Sequence, residues 1–99
     1  MSTKIVTVLA AIQAKPGQEK AVREILTALI APTRKEPGCL NYDLHVSLDD
    51  PTKFLFHENW ASKAHLDTHL ATPHLKALPG KLEKICAGHP EIKLWEKIG

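Results

Sequence analysis

The chain has 99 residues, a formal net charge of +2 and 43% hydrophobic residues, which fits one globular domain over 1–99 rather than a disordered segment. Acidic and basic residues are interleaved without a basic stripe, which argues against a nucleic-acid partner. The longest nearly apolar run, Ile5 to Ile12, is far too short to cross a membrane.

Ile5 to Ala14 is rich in β-branched residues and apolar on both alternating faces, the pattern of a central strand covered on both sides. Met1-Ser2-Thr3-Lys4 leads into it without a signal-peptide pattern. Pro16-Gly17 breaks the strand. From Gln18 onward, Val22, Ile25, Leu26 and Leu29 recur at helical spacing against Glu19, Lys20, Arg23 and Glu24. Pro32 should kink or end that helix near Ala31, and Pro37-Gly38 turns the chain into a second strand. There Leu40, Tyr42, Leu44 and Val46 alternate with Asn41, Asp43, His45 and Ser47.

Asp49-Asp50-Pro51-Thr52 carries strong turn chemistry, so a hairpin joins this strand to Lys53 through Trp60. Alternation puts Phe54, Phe56, Glu58 and Trp60 on one face of that third strand. Ser62 is suited to cap a helix running to Leu70, and Thr72-Pro73 to start another reaching about Ala87, bent at Pro79-Gly80. Leu75, Leu78, Leu82 and Ile85 form the buried stripe of this last helix. Ile92, Leu94 and Ile98 then alternate with Lys93, Trp95 and Lys97 as a closing strand.

The resulting order, βαββαβ, predicts an α+β ferredoxin-like fold with an antiparallel sheet and its helices on one face. The apolar character of the first strand on both faces leaves the open side of the sheet wanting a cover. A second copy of the same sheet is the simplest one, so a homodimer packed through sheet faces is expected, with Asn41 and His45 near the seam. Cys39 and Cys86 lack metal-ligand spacing and read as free thiols of a reducing cytoplasm.

Several side chains in this plan can do chemistry. His69 follows His65 by four positions and borders the Leu66 and Leu70 stripe. An imidazole there suits a general base near neutral pH; the alternative is a structural histidine holding the break at Thr72-Pro73. Glu58, between Phe56 and Trp60, would have a raised pKa if buried alone, or would pair with Arg34, Lys53 or a histidine. Tyr42 can orient a phenol or donate to an oxyanion, and otherwise fills the core. Phe56 and Trp60 are candidate walls of an apolar substrate cleft. His74, second in its helix, could meet an anionic ligand or cap the helix. His65 and His69 have metal-pair spacing but no evident third ligand, so no metal site is expected.

The sequence resembles the antibiotic biosynthesis monooxygenase domain family, in particular its quinol monooxygenase and autoinducer-processing members. The resemblance is carried by Lys15-Pro16-Gly17, by Glu36-Pro37-Gly38-Cys39-Leu40 leading to Tyr42, and by Asp50-Pro51 with Phe54, Glu58 and Trp60. Ala64-His65-Leu66, His69 and Thr72-Pro73-His74 complete it.

Membership implies a dimeric α+β barrel and a cofactor-free oxidation of a small hydroxylated aromatic to a quinone by molecular oxygen. His69 and Glu58 would then be catalytic, with Tyr42, Trp60, His74 and Phe56 binding substrate. Isomerisation of a small phosphorylated or hydroxylated ketone is the alternative chemistry, and a non-catalytic dimeric binding or stress-response module a third reading. Haem-degrading relatives use a first-strand asparagine, a tryptophan and a histidine ligand, of which only Trp60 has a counterpart. Glycine-rich flavin or nicotinamide signatures are absent from the sequence.

Overall fold

The computed structural model describes residues 4–99; Met1, Ser2 and Thr3, read above as the lead-in to the first strand, lie outside them. The elements in chain order are β1 (Val6–Gln13), α1 (Glu19–Thr27), α2 (Ile30–Arg34), β2 (Cys39–Val46) and β3 (Lys53–Trp60). They continue with α3 (Lys63–Leu70), α4 (Pro73–Lys76), α5 (Leu78–Leu82) and β4 (Glu91–Trp95). The strands form one antiparallel sheet in the order β2-β3-β1-β4. This is the expected α+β ferredoxin-like architecture. Among the described residues, no helix is long and apolar enough to cross a membrane.

Strand register aligns the residues that matter. Val8 and Tyr42 both stand opposite Glu58, and Leu94 stands opposite Val8, so Leu94, Val8, Glu58 and Tyr42 form one row across the sheet. The next row on the same face runs Ile92, Ala10, Phe56 and Leu44. Val22 and Leu26 of α1, Leu29 at the start of α2, Leu66 of α3 and Leu82 of α5 are buried with this face. Removing that apolar surface from water is the main force holding the helices to the sheet.

Four details depart from the sequence reading. The first helix stops at Thr27, and a new one begins at Ile30, so Pro32 falls in the opening turn of α2, where its missing N–H leaves no helical bond unmade. The expected helix from Thr72 to Ala87 is broken into α4 and α5 followed by turns, and Cys86 bridges back to Ala14. Pro79 sits in the first turn of α5, which explains why α4 does not continue through it.

In β2 the register shifts between Cys39 and Asn41. This bulge turns Leu40 out to solvent, 55% exposed, and places Cys39 opposite Trp60. Leu40 therefore does not share the Tyr42 face. Finally, β4 ends at Trp95, and Ile98 is exposed beyond it.

The other sheet face carries Thr7, Leu9 and Ala11 of β1, with Leu55, His57 and Asn59 paired to them on β3. Asn41 lies on this face, opposite Asn59, as expected. A polar chain crosses it: Thr7 Oγ1 donates to Asn59 Oδ1 at 2.6 Å, Asn59 Nδ2 to Asn41 Oδ1 at 2.8 Å, and Asn41 Nδ2 to Asp43 Oδ2 at 3.0 Å. Arg34 pairs with Asp43 at 3.1 Å, which removes it as a partner for Glu58.

Candidate active site

A cavity of about 260 Å³ lies between the helix-side face of the sheet and the segments α3 to α5. Its wall is mostly apolar. Val8, Ala10 and Phe56 contribute from the sheet, and Leu66, Leu75 and Leu78 from the opposite side. Three side chains with proton chemistry line it, Tyr42, Glu58 and His69. Among the described residues, no lysine or arginine lines it.

Each polar group is held by a local device. Tyr42 is buried on β2, and its ring stacks on Phe56 of β3 with centroids 4.5 Å apart. Burial, with the Glu58 carboxyl beside it, holds the phenol well above its ordinary pKa, although a Thr33 hydrogen bond pulls the other way. Tyr42 is therefore a neutral hydroxyl at physiological pH.

Glu58 is 4% exposed and has none of the cationic partners anticipated for it. Instead the Trp60 indole N–H donates to its Oε1 at 2.9 Å. Burial, partly offset by that hydrogen bond, pushes its pKa up to about 7. The group can therefore give or take a proton near neutrality.

His69 sits on α3, whose start is fixed by Ser62: the serine Oγ accepts the His65 backbone N–H at 3.2 Å. Such a cap is worth about 1 kcal/mol. His69 is 1% exposed and packed between aromatic rings, 4.5 Å from Trp60 and edge-on to Tyr42 at 5.5 Å between centroids. Its Nδ1 lies 3.0 Å from Glu36 Oε2 and 3.2 Å from Oε1. Burial lowers the imidazole pKa more than the Glu36 bond and charge raise it. The ring is therefore neutral at pH 7. A neutral ring facing a carboxylate must donate from Nδ1, which leaves Nε2 with the lone pair.

Glu36 is not among the site residues expected from the sequence, where it opens the Glu36-Pro37-Gly38 motif before β2. It is the centre of the polar cluster. Its Oε2 also lies 2.9 Å from His74 Nε2, and the Glu36 side chain is only 12% exposed. Thr33, fully buried on α2, places its hydroxyl 3.4 Å from the same His74 nitrogen. Tyr42, Glu58, Phe56 and His69 thus converge on the cavity. Trp60 and His74 stand behind them, one bonded to Glu58 and the other to Glu36, and neither lines the cavity. His65 turns away, with its Nδ1 2.7 Å from Ser62 Oγ.

A small α+β sheet domain whose helical layer roofs an apolar chamber with an orientated histidine and a protonatable carboxyl defines the class. Residues 5–79 match the family model described as antibiotic biosynthesis monooxygenase, and the chain belongs to that family. It is 42% identical over 72 residues to the putative monooxygenase Rv0793 of Mycobacterium tuberculosis, covering 73% of this chain and 70% of that protein. It is 36% identical over 83 residues to the probable quinol monooxygenase YgiN of Escherichia coli, covering 74% and 80%. An uncharacterized Synechocystis protein, sll1783, is 32% identical over 85 residues; the match covers 86% of this chain but only 58% of that one. Among solved structures, PA3566 of Pseudomonas aeruginosa superposes with a TM-score of 0.91 at 35% identity, covering 100% of this chain and 98% of the other.

Proposed function

We propose that the protein is a cofactor-independent monooxygenase that oxidises a small hydroxylated, quinol-like aromatic with molecular oxygen. One observation carries this reading: His69, with Nδ1 committed to Glu36, lines an apolar chamber beside Glu58. A planar aromatic fits a wall made by the stacked Tyr42 and Phe56 rings. The names of the M. tuberculosis and E. coli relatives point the same way.

The residues would act as follows. Nε2 of His69 takes the proton of the substrate hydroxyl, and Glu36 stabilises the imidazolium formed. The electron-rich phenolate then reduces oxygen by one electron, and the radical pair closes a carbon–oxygen bond to give a hydroperoxide anion. The imidazolium returns its proton to that anion. Loss of the ring C–H proton and cleavage of the O–O bond release water and leave a quinone. One oxygen atom of O2 is retained and the other leaves as water, so a phenol plus O2 balances a quinone plus water. Glu58, protonated at about pH 7 and below, supplies a hydrogen bond to the developing oxyanion.

Isomerisation of a phosphorylated ketone is less well served, because the cavity lining offers no cation to a phosphate. We further propose that the protein works as a homodimer through the open sheet face, in the cytoplasm, where Cys39 and Cys86 stay reduced. The test is oxygen uptake by chelator-treated protein with a panel of hydroquinones and hydroxynaphthalenes. Uptake above the spontaneous rate, lost in His69→Gln with the fold retained, is expected. Uptake at the spontaneous rate across the panel would overturn the reading.

A further inference from the structure

We propose that Glu36, His69 and His74 form a binding site for one divalent transition-metal ion of the zinc class. Their ligating atoms all lie within 4.8 Å of one another. Glu36 Oε2 is 3.0 Å from His69 Nδ1 and 2.9 Å from His74 Nε2. Donor atoms around a tetrahedral zinc ion sit roughly 3.3 Å apart, given metal–ligand bonds of ~2.0–2.1 Å. Small side-chain rotations therefore convert the hydrogen-bonded cluster into a coordination sphere. Two imidazoles and a carboxylate are a donor set that zinc accepts, with water in the fourth position.

The surroundings suit a cation. Glu36 brings a carboxylate into a largely buried position where, among the described residues, its side-chain hydrogen-bond partners are the two rings, with the Thr33 and Thr72 hydroxyls 3.4 Å from His74 Nε2. An ion would take the place of the two ring N–H donors, each ring keeping its proton on the opposite nitrogen, and would offset the buried negative charge. The ligands come from the turn before β2, from α3 and from the start of α4, so the ion would tie that turn to the α3–α4 corner, 33 to 38 positions further along the chain. Entry is open on the His74 side, where the side chain is 27% exposed against 2% for His69. This pairing differs from the spacing-based one: His65 bonds to Ser62, and the third ligand is the unforeseen Glu36.

Coordination at Nδ1 forces the remaining ring proton of His69 onto Nε2. That nitrogen would then donate towards the chamber instead of accepting a proton. If the oxygenase reading holds, ion binding and base catalysis therefore exclude each other. The binding claim itself is independent of that reading.

The experiment titrates Zn2+ against a chromophoric chelator and follows thermal unfolding, with Co2+ as a spectroscopic probe. One equivalent per chain, a raised Tm and a four-coordinate Co2+ spectrum are expected. Glu36→Gln and His74→Ala should each weaken binding at least about tenfold, and His89→Ala, at an exposed remote position, should not. Should Glu36→Gln fail to fold, His74→Ala alone decides. Equal affinity in parent and His74→Ala, or several weak equivalents per chain, would mean adventitious surface histidines and overturn the site. None of these readouts requires turnover, so failure of the oxygenase reading and failure of the site remain distinguishable.

Discussion

The indole N–H of Trp60 donates to Glu58 Oε1 across 2.9 Å, from two positions further along the same strand face. Both side chains are buried, Trp60 completely. The pair answers how a carboxyl survives among phenylalanines: it keeps a donor instead of a cation. Trp60→Phe removes that donor while keeping most of the apolar bulk. Losing the partner of a buried polar group costs about 1–3 kcal/mol, so the variant should melt earlier. The hydrogen bond is also what holds the Glu58 pKa down. An NMR titration of the Glu58 side-chain carbon should therefore show its midpoint above the parent value; an unchanged midpoint would refute the assigned cause.

Glu58 also makes stability depend on pH. Its folded pKa of about 7 lies above the ordinary 4.5. Between these values the folded chain keeps a proton that the unfolded chain releases. The contribution is therefore fully present below about pH 4.5, falls as pH rises through the window and is gone above about pH 7. Its size is on the order of 3 kcal/mol, at 1.36 kcal/mol per pKa unit. His69, whose pKa is depressed by burial, works in the other direction, withdrawing stability as pH falls below its unfolded value. Subtracting the urea-denaturation profile of Glu58→Gln from that of the parent cancels the histidine contribution. The difference should decline from pH 4.5 to 7, and a flat difference would contradict a raised Glu58 pKa.

What the sequence disclosed and concealed follows from the range of the signals. Alternation over Lys53 to Trp60 placed Phe54, Phe56, Glu58 and Trp60 together, and all four are buried, because a two-residue period is a local property of a strand. The Leu66 and Leu70 stripe set His69 at the edge of the core; Leu66 and His69 are buried, whereas Leu70 is 41% exposed. Glu36 carried no such mark. Its burial depends on His74, 38 positions away, being brought to it by the packing of α2 and α4, and no local periodicity encodes that approach. The β2 bulge was equally silent: one extra residue at Leu40 resets the faces, so strict alternation misplaces that side chain.

Gly38 packs the Pro-Gly turn closely against His65 of α3. Its φ is +81°, and a Cβ there would fall 2.2 Å from His65 Cγ. Gly17 has a similar φ of +87° but open space around it. Gly17→Ala should therefore cost about 1 kcal/mol of left-handed strain alone. Gly38→Ala adds a clash with a ring anchored to Ser62, so its loss should exceed about 3 kcal/mol. Chemical denaturation of the two variants measures the difference. Equal losses would show that His65 moves aside freely.

The open sheet face offers the sharpest test of assembly. Leu55 is 37% exposed on β3 and Trp95 53% exposed on β4, with Leu9 and Ala11 on the strand between. Isolated apolar residues on a surface need no explanation, but a cluster spanning three adjacent strands favours a covering partner. The polar chain from Thr7 through Asn59 and Asn41 to Asp43 is already bonded internally. Covering it would therefore leave few polar groups unpaired. Leu55→Glu places a carboxylate in the middle of the patch without touching the cavity on the opposite face. Light scattering should give twice the chain mass for the parent and a single chain mass for Leu55→Glu, with the far-UV spectrum unchanged. A monomeric parent would remove the sheet-face dimer while leaving the chamber chemistry, built on one chain, intact.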